Sequence, residues 1–177
     1  MSVRVSSLGK EALRRLLLVD KPVPPMTDEE REAIVEQDFR WNYAVNFLDG
    51  AFFWFGLSFI AYATILPLFL SKVTTSPLPI ALLAIIGQAS WYLPQLFMAG
   101  PTERLARKKP VVVNLGFFVE RLPLWFMPVA ALMALWSPVL AVVLFFLAYA
   151  AHGLGAGAIG PAWSDLLARI IPVSQRG

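Results

Sequence analysis

The chain has 177 residues, of which 58% are hydrophobic and 15% are charged, whereas soluble domains average roughly 45–50% apolar and about 25% charged residues. This balance excludes an ordinary soluble domain, because such a domain has no place for several apolar runs that each match the roughly 20 residues of a membrane-spanning helix. The absence of cysteine excludes disulfides and thiolate chemistry, and the single histidine, His152, argues against a zinc site.

Residues 1–43 are polar and mixed in charge, and we expect a cytoplasmic tail with short helices. Prolines within residues 21–25 separate two helical stretches. Thr27, followed three residues later by Glu30, predicts a capping box at the start of the second stretch, which then runs towards the membrane. Neither stretch has the apolar length and cleavage site of a signal peptide.

Four apolar segments follow the tail, and each is long enough to cross a bilayer as a helix. They cover residues of about 44–70, 78–100, 111–135 and 139–159. The sequence therefore predicts an all-α membrane protein with four transmembrane helices. A one-faced apolar pattern over residues 163–171 predicts an amphipathic helix within the C-terminal segment 161–177, which either lies at the membrane interface or extends the last span.

The distribution of basic residues predicts the orientation in the membrane. Of fifteen Lys and Arg residues, seven lie before residue 45, four lie between residues 104 and 109 and two lie after residue 160. Only Lys72 falls in a loop on the opposite side, and Arg121 lies inside a span. By the positive-inside rule, we expect a multi-pass protein of the cytoplasmic cell membrane with both termini in the cytoplasm. The same distribution argues against a nucleic-acid patch, which needs its basic residues on one surface.

Polar side chains inside the predicted spans mark a candidate solute pathway. Glu120 and Arg121 lie near the middle of the third span, where an ionisable group costs roughly 2.5–3.5 kcal/mol on insertion scales. As neighbours they point about 100° apart, so we expect each to pair with another helix, as a substrate or proton site or as a structural salt bridge. Asn114 and Gln88 are further pathway candidates, with interhelical hydrogen bonding as the alternative role. Asp49, near the cytoplasmic end of the first span, is a candidate for gating or for a helix-end ion pair.

No pattern in the chain predicts an enzyme, a cofactor or a metal site. Eight of the twelve Asp and Glu residues lie in the N-terminal tail, and neither a hydrolytic triad nor a phosphate-binding loop is present. Residues 155–160 match the dinucleotide pattern G-x-G-x-x-G, but they end an apolar helix instead of following a strand. We interpret these small residues as a surface for close helix packing.

The loop between the second and third predicted spans carries an acidic–basic pair, Glu103 and Arg104, followed by Arg107 and Lys108. Together with the glycine-rich fourth span, this loop resembles the first third of a major facilitator superfamily transporter. Glu103 stands where the family usually has Asp, and Ala106 where it usually has Gly. In the family, the acidic residue contacts the second half of the transporter and helps to set the balance between outward-facing and inward-facing states. The resemblance therefore implies that Glu103, Arg104, Arg107 and Lys108 form a conformational-switch loop.

The resemblance implies secondary active transport of a small solute by alternating access. Because family members have twelve helices, we expect this chain to be an incomplete portion, ending abruptly at residues 176–177, that needs its missing C-terminal helices or a second chain. Two alternatives remain open at this stage. One is a self-contained four-helix protein that acts as an oligomeric small transporter, and the other is a membrane scaffold that binds lipid or protein without transporting a solute.

Overall fold

The computed structural model describes the backbone of residues 2–175 and the side chains of residues 9–172, 174 and 175. The predicted abrupt end at residues 176–177 lies outside this part of the chain. The described part is helical throughout and contains no β-strand. Its helices are α1 (Ser2–Leu16), α2 (Asp28–Ser58), α3 (Ile65–Val73), α4 (Leu78–Glu103), α5 (Val111–Met133) and α6 (Pro138–Ile170), followed by a 3₁₀ turn at Val173–Gln175.

Three of these helices, α4, α5 and α6, are long and apolar enough to cross a membrane. They correspond to the second, third and fourth predicted spans, so the prediction of an all-helical membrane protein is confirmed for these three segments. α5 is irregular, since it contains the two π-helical stretches Val111–Leu115 and Phe117–Arg121 and a turn at Trp125.

The predicted first span over residues 44–70 is not one helix. α2 ends at Ser58, the chain bends through residues 59–64, and α3 begins at Ile65. Pro67 gives the physical reason, because an unbroken helix would press its ring against the carbonyl of Ala63, whereas in the first turn of a new helix proline is tolerated. The interpretation of residues 44–70 as a single helix is therefore corrected to two helices joined by a bend.

The beginning of α2 follows the sequence pattern closely. The Thr27 amide donates to Glu30 Oε2 at 2.8 Å, and the Glu30 amide donates to Thr27 Oγ1 at 3.2 Å. These reciprocal bonds form the predicted capping box and satisfy two amides at the helix start.

At the other end of the chain, α6 continues unbroken to Ile170, so the predicted amphipathic helix is an extension of the last span.

Glycines allow α6 to pack directly against both of its neighbours. A Cβ at Gly153 would overlap Ser90, and one at Gly157 would overlap the carbonyl of Trp91, both on α4. A Cβ at Gly155 would overlap the carbonyl of Val119 on α5. The predicted role of these small residues in close helix packing is therefore confirmed.

Two apolar clusters hold the helices together. The larger one joins α3, α4, α5 and α6 and consists of Leu66, Leu70, Leu83, Ala130 and Phe145. The smaller one joins the beginning of α5 to the end of α6 and consists of Val111, Ile159 and Ala162. α2, by contrast, has no buried residue although it is rich in aromatic side chains.

Candidate functional site

Arg121 on α5 pairs with Asp49 on α2. Its Nη2 atom lies 2.8 Å from both Oδ1 and Oδ2 of the carboxylate. The guanidinium also lies over the ring of Phe53, with its Cζ atom 5.8 Å from the ring centroid. The Arg121 and Asp49 side chains are 43% and 48% exposed in the protein alone. The expectation that Arg121 pairs with another helix is confirmed, and the partner is the residue singled out as the gating candidate.

His152 on α6 extends this group of residues. Its ring centroid lies 6.5 Å from that of Phe53, and its Nδ1 atom lies 2.8 Å from the backbone oxygen of Glu120. Because a carbonyl oxygen only accepts hydrogen bonds, Nδ1 must carry the hydrogen, and the neutral ring then keeps Nε2 as an acceptor. Sequence reasoning used His152 only to argue against zinc. The sequence did offer a signal for a role of His152, because it is a lone polar ring in the middle of an apolar helix.

Glu120 is only 8% exposed, although it is acidic. Arg121 and Asp49 are the charged groups that interact with it electrostatically. Its carboxylate accepts no hydrogen bond from any side chain or amide that the structure describes, so the expected partner on another helix is not found there. A Cβ at Gly116, one turn earlier, would make ordinary contact with Glu120 Oε2 at 3.9 Å, and its tight neighbour would be Ile159 Cδ1 at 3.1 Å.

The two amide candidates have different environments. Asn114 donates from Nδ2 to the carbonyl of Leu16 at 2.8 Å, which ties the N-terminal tail to α5. Gln88 lines a cavity of about 520 Å³ between the end of α2, the bend, α4 and α6. Asn114 is not among the residues that line this cavity, so the two pathway candidates do not share it.

The basic loop after α4 is attached to the end of α6 through Lys108. This side chain is only 3% exposed, and its Nζ atom lies 3.4 Å from Asp165 Oδ2. It also donates to the backbone oxygens of Thr102 and, at 3.1 Å, of Glu103. Arg169 holds the other oxygen of Asp165 at 3.0 Å. The Lys108–Asp165 ion pair therefore joins the loop to the last turns of α6, and the two carbonyl contacts tie the same side chain to the end of α4.

The other candidates in the loop have different environments. Arg107 donates from Nη2 to the carbonyl of Pro22 at 2.6 Å, which joins the loop to the N-terminal tail. Glu103 and Arg104 are exposed, and neither side chain forms an ion pair within the described residues. Of the four predicted switch residues, Lys108 and Arg107 hold the loop, and Glu103 and Arg104 face outwards.

Among the side chains that the structure describes, no three His, Asp or Glu residues lie close enough together to hold a metal ion. The chemistry available to the site is therefore that of one interhelical ion pair, a buried carboxyl group, a histidine and an uncharged cavity. The chain matches no protein-family model, no curated protein and no solved structure.

Proposed function

We propose that this chain takes part in secondary active transport of a small solute across the cytoplasmic membrane by alternating access. The observation that supports this most is the Asp49–Arg121 pair, which joins α2 to an apolar helix. Charges inside apolar helices are costly, and they commonly mark a solute or ion pathway. When either partner of such a pair binds a different counterion, the pair breaks and the two helices are free to take a different relative position.

We further propose that α2 and α3 together form a fourth crossing, so that both termini face the cytoplasm. Broken helices are common in transporters, where the unwound backbone lines a cavity. Residues 60–62 of the bend do line the 520 Å³ cavity. The predominance of basic residues in the tail and in the loop after α4 supports this orientation.

The loop after α4 would then couple the two states of the transporter. Lys108 holds it to α6 through Asp165, and the exposed Glu103 is available to contact a further set of helices. A second chain, a second copy or further transporter helices would supply that surface. The exposed aromatic side of α2 is consistent with such a neighbour, since large apolar patches mark interaction surfaces or lipid contacts.

The transport proposal is tested by uptake into proteoliposomes of a panel of radiolabelled amino acids, sugars, nucleosides and organic ions. For any solute that accumulates, Arg121→Gln should reduce uptake roughly tenfold or more, because Asp49 loses its counterion in an apolar setting. Arg31→Gln is the matched control, since Arg31 pairs with Asp28 at the exposed start of α2. Equal uptake of every solute by both variants, or no uptake at all, would count against the proposal.

The orientation is tested by cysteine labelling. We expect Thr75→Cys to react with an impermeant thiol reagent added outside, and Ala106→Cys to react only after the membrane is permeabilised. Both positions are exposed, whereas Thr102 in the same loop is buried and would stay unlabelled for a trivial reason. The opposite labelling pattern would invert the topology.

A self-contained oligomer of this chain is the second candidate. The observation that favours it is the exposure of Trp41, Phe47, Phe52, Trp54 and Phe55 along α2, which copies of the chain would cover. Crosslinking between copies through a cysteine at Phe52 in proteoliposomes separates the two cases. Efficient dimer formation at low protein density supports the oligomer, and its absence leaves lipid or another chain against α2.

A further inference from the structure

The break between α2 and α3 forms one wall of the 520 Å³ cavity. The opposite walls come from the middle of α4 and of α6, where Gln88 and His152 lie. Ligand pockets for small molecules typically measure about 300–1,000 Å³, so the cavity has the size of a solute site. The cavity lies near the middle of α4 and α6, two helices that are long enough to cross a membrane. Transporters hold their solutes at the corresponding depth, near the bilayer midplane.

The bend leaves backbone donors without partners. The amides of Ala61, Tyr62 and Ala63 donate to no group within the described part of the chain, and Ala61 and Tyr62 line the cavity. In an apolar environment an unpaired amide is costly, and unwound backbone is tolerated where it lines a cavity that supplies a partner. Unpaired N–H donors of the bend therefore lie at this wall of the cavity, where a water molecule or a solute oxygen would accept from them.

The side chains around the cavity are aromatic and uncharged. Trp54, Tyr62, Trp91 and Tyr149 supply flat apolar surface, and none of the described residues that line the space is Lys, Arg, Asp or Glu. The Asp49–Arg121 pair is not part of this lining: the Arg121 guanidinium lies over the ring of Phe53, whose centroid is 6.5 Å from that of His152. A charged solute would lose its hydration here without gaining a counterion, whereas a neutral aromatic ring would stack on these walls.

Besides the hydroxyls of Tyr62, Tyr92 and Tyr149, two polar side chains of the cavity are available to bind a solute. His152 uses Nδ1 for the Glu120 carbonyl, so its Nε2 atom remains an acceptor without a partner among the described residues. The Gln88 amide likewise has no hydrogen-bond partner in this part of the chain. An acceptor beside aromatic walls selects a ring that carries an N–H or O–H donor.

We propose that this cavity binds a neutral aromatic solute with a hydrogen-bond donor, of the indole or phenol class. The proposal rests on the proposed transport function and names its solute class. It assigns solute binding to His152, Gln88 and the aromatic walls, and it leaves the Asp49–Arg121 pair to control movement of α2.

The test is equilibrium binding of tritiated indole to the full chain in lipid nanodiscs, with empty nanodiscs as the blank. We expect saturable binding that phenol displaces and that benzoate, which is anionic at neutral pH, does not. Gly87→Ala should weaken binding roughly tenfold, because its Cβ would overlap the hydroxyl of Tyr149 and displace that ring within the cavity. Gly100→Ala is the matched control on the same helix, since a Cβ there meets open space.

A second variant separates hydrogen bonding from shape. His152→Phe keeps a ring and removes the acceptor, so indole should bind roughly three- to tenfold more weakly while naphthalene, which has no donor, binds unchanged. Binding that never saturates, or that Gly87→Ala leaves unchanged, would show that lipid fills the cavity and would overturn the proposal. Uptake of a charged solute that depends on Arg121 without any indole binding would refute this site and leave the transport function intact.

Discussion

α6 and α2 are the two longest helices of the chain, and they are attached to the rest of the protein in opposite ways. α6 has ten buried residues, and its glycines bring its backbone against the backbones of α4 and α5. α2 has none; its Asp49 pairs with Arg121 on α5, and its Phe53 ring lies 6.5 Å from that of His152 on α6. Close backbone packing makes α6 a fixed centre, whereas a helix without buried residues is suited to move.

The largest expected effect comes from breaking the fixed centre. Gly155→Leu should destabilise the helical body by about 3 kcal/mol or more, because its side chain would occupy the position of the Val119 carbonyl. Gly50→Leu on α2 is the control and should be neutral or slightly stabilising, since a Cβ there meets nothing within 4 Å. Unfolding in a titration with denaturing detergent measures both. Equal destabilisation would remove the distinction between the two helices.

A smaller effect is expected where the loop is attached to the fixed centre. Lys108→Gln should cost about 1–3 kcal/mol and loosen the loop, because a buried ammonium that binds Asp165 and two carbonyls is lost. Lys109→Gln, at the exposed neighbouring position, should change neither stability nor the loop. Hydrogen exchange of the amides of residues 104–109 is the measurement. Identical protection in the two variants would contradict the assigned role of Lys108.

The smallest expected effect concerns the start of α2, which depends on its own cap because tertiary packing contributes little. Thr27→Ala should cost about 1 kcal/mol, locally, by leaving the Glu30 amide without its acceptor. Faster hydrogen exchange over residues 28–31, with α6 unchanged, is the expected result. Thr75→Ala in the exposed loop before α4 is the control. If Thr27→Ala leaves the protection of residues 28–31 unaltered, packing and not the cap holds this end of α2.

The sequence predicted α4, α5 and α6 because apolar length is a local property that composition reveals directly. It predicted one helix where α2 and α3 are two, because hydropathy is continuous across residues 44–70 and only Pro67 signals the break. The capping box was predictable for the same reason as the spans, since Thr27 and Glu30 are three residues apart.

The candidate site was predictable in its residues but not in its pairings. Asp49 and Arg121 were both singled out by the cost of charge in apolar segments, yet they are 72 residues apart in sequence, and no spacing rule connects them. His152 was missed because its contact with the Glu120 carbonyl depends on how closely α6 approaches α5. The glycines that permit this approach were recognised, but the direction of the approach comes from the packed structure alone.

We infer that the Asp49–Arg121 pair holds α2 against the other helices and that loss of the pair allows α2 to move away from them. Spin labels at Ala51→Cys on α2 and Leu147→Cys on α6, both exposed, allow pulsed electron resonance to measure the distance between the two helices in nanodiscs. We predict a narrow distance distribution for the native pair, a broad one for Asp49→Asn, and a narrow one again when the charges are exchanged as Asp49→Arg with Arg121→Asp. A distribution for Asp49→Asn as narrow as that of the native pair would contradict the account.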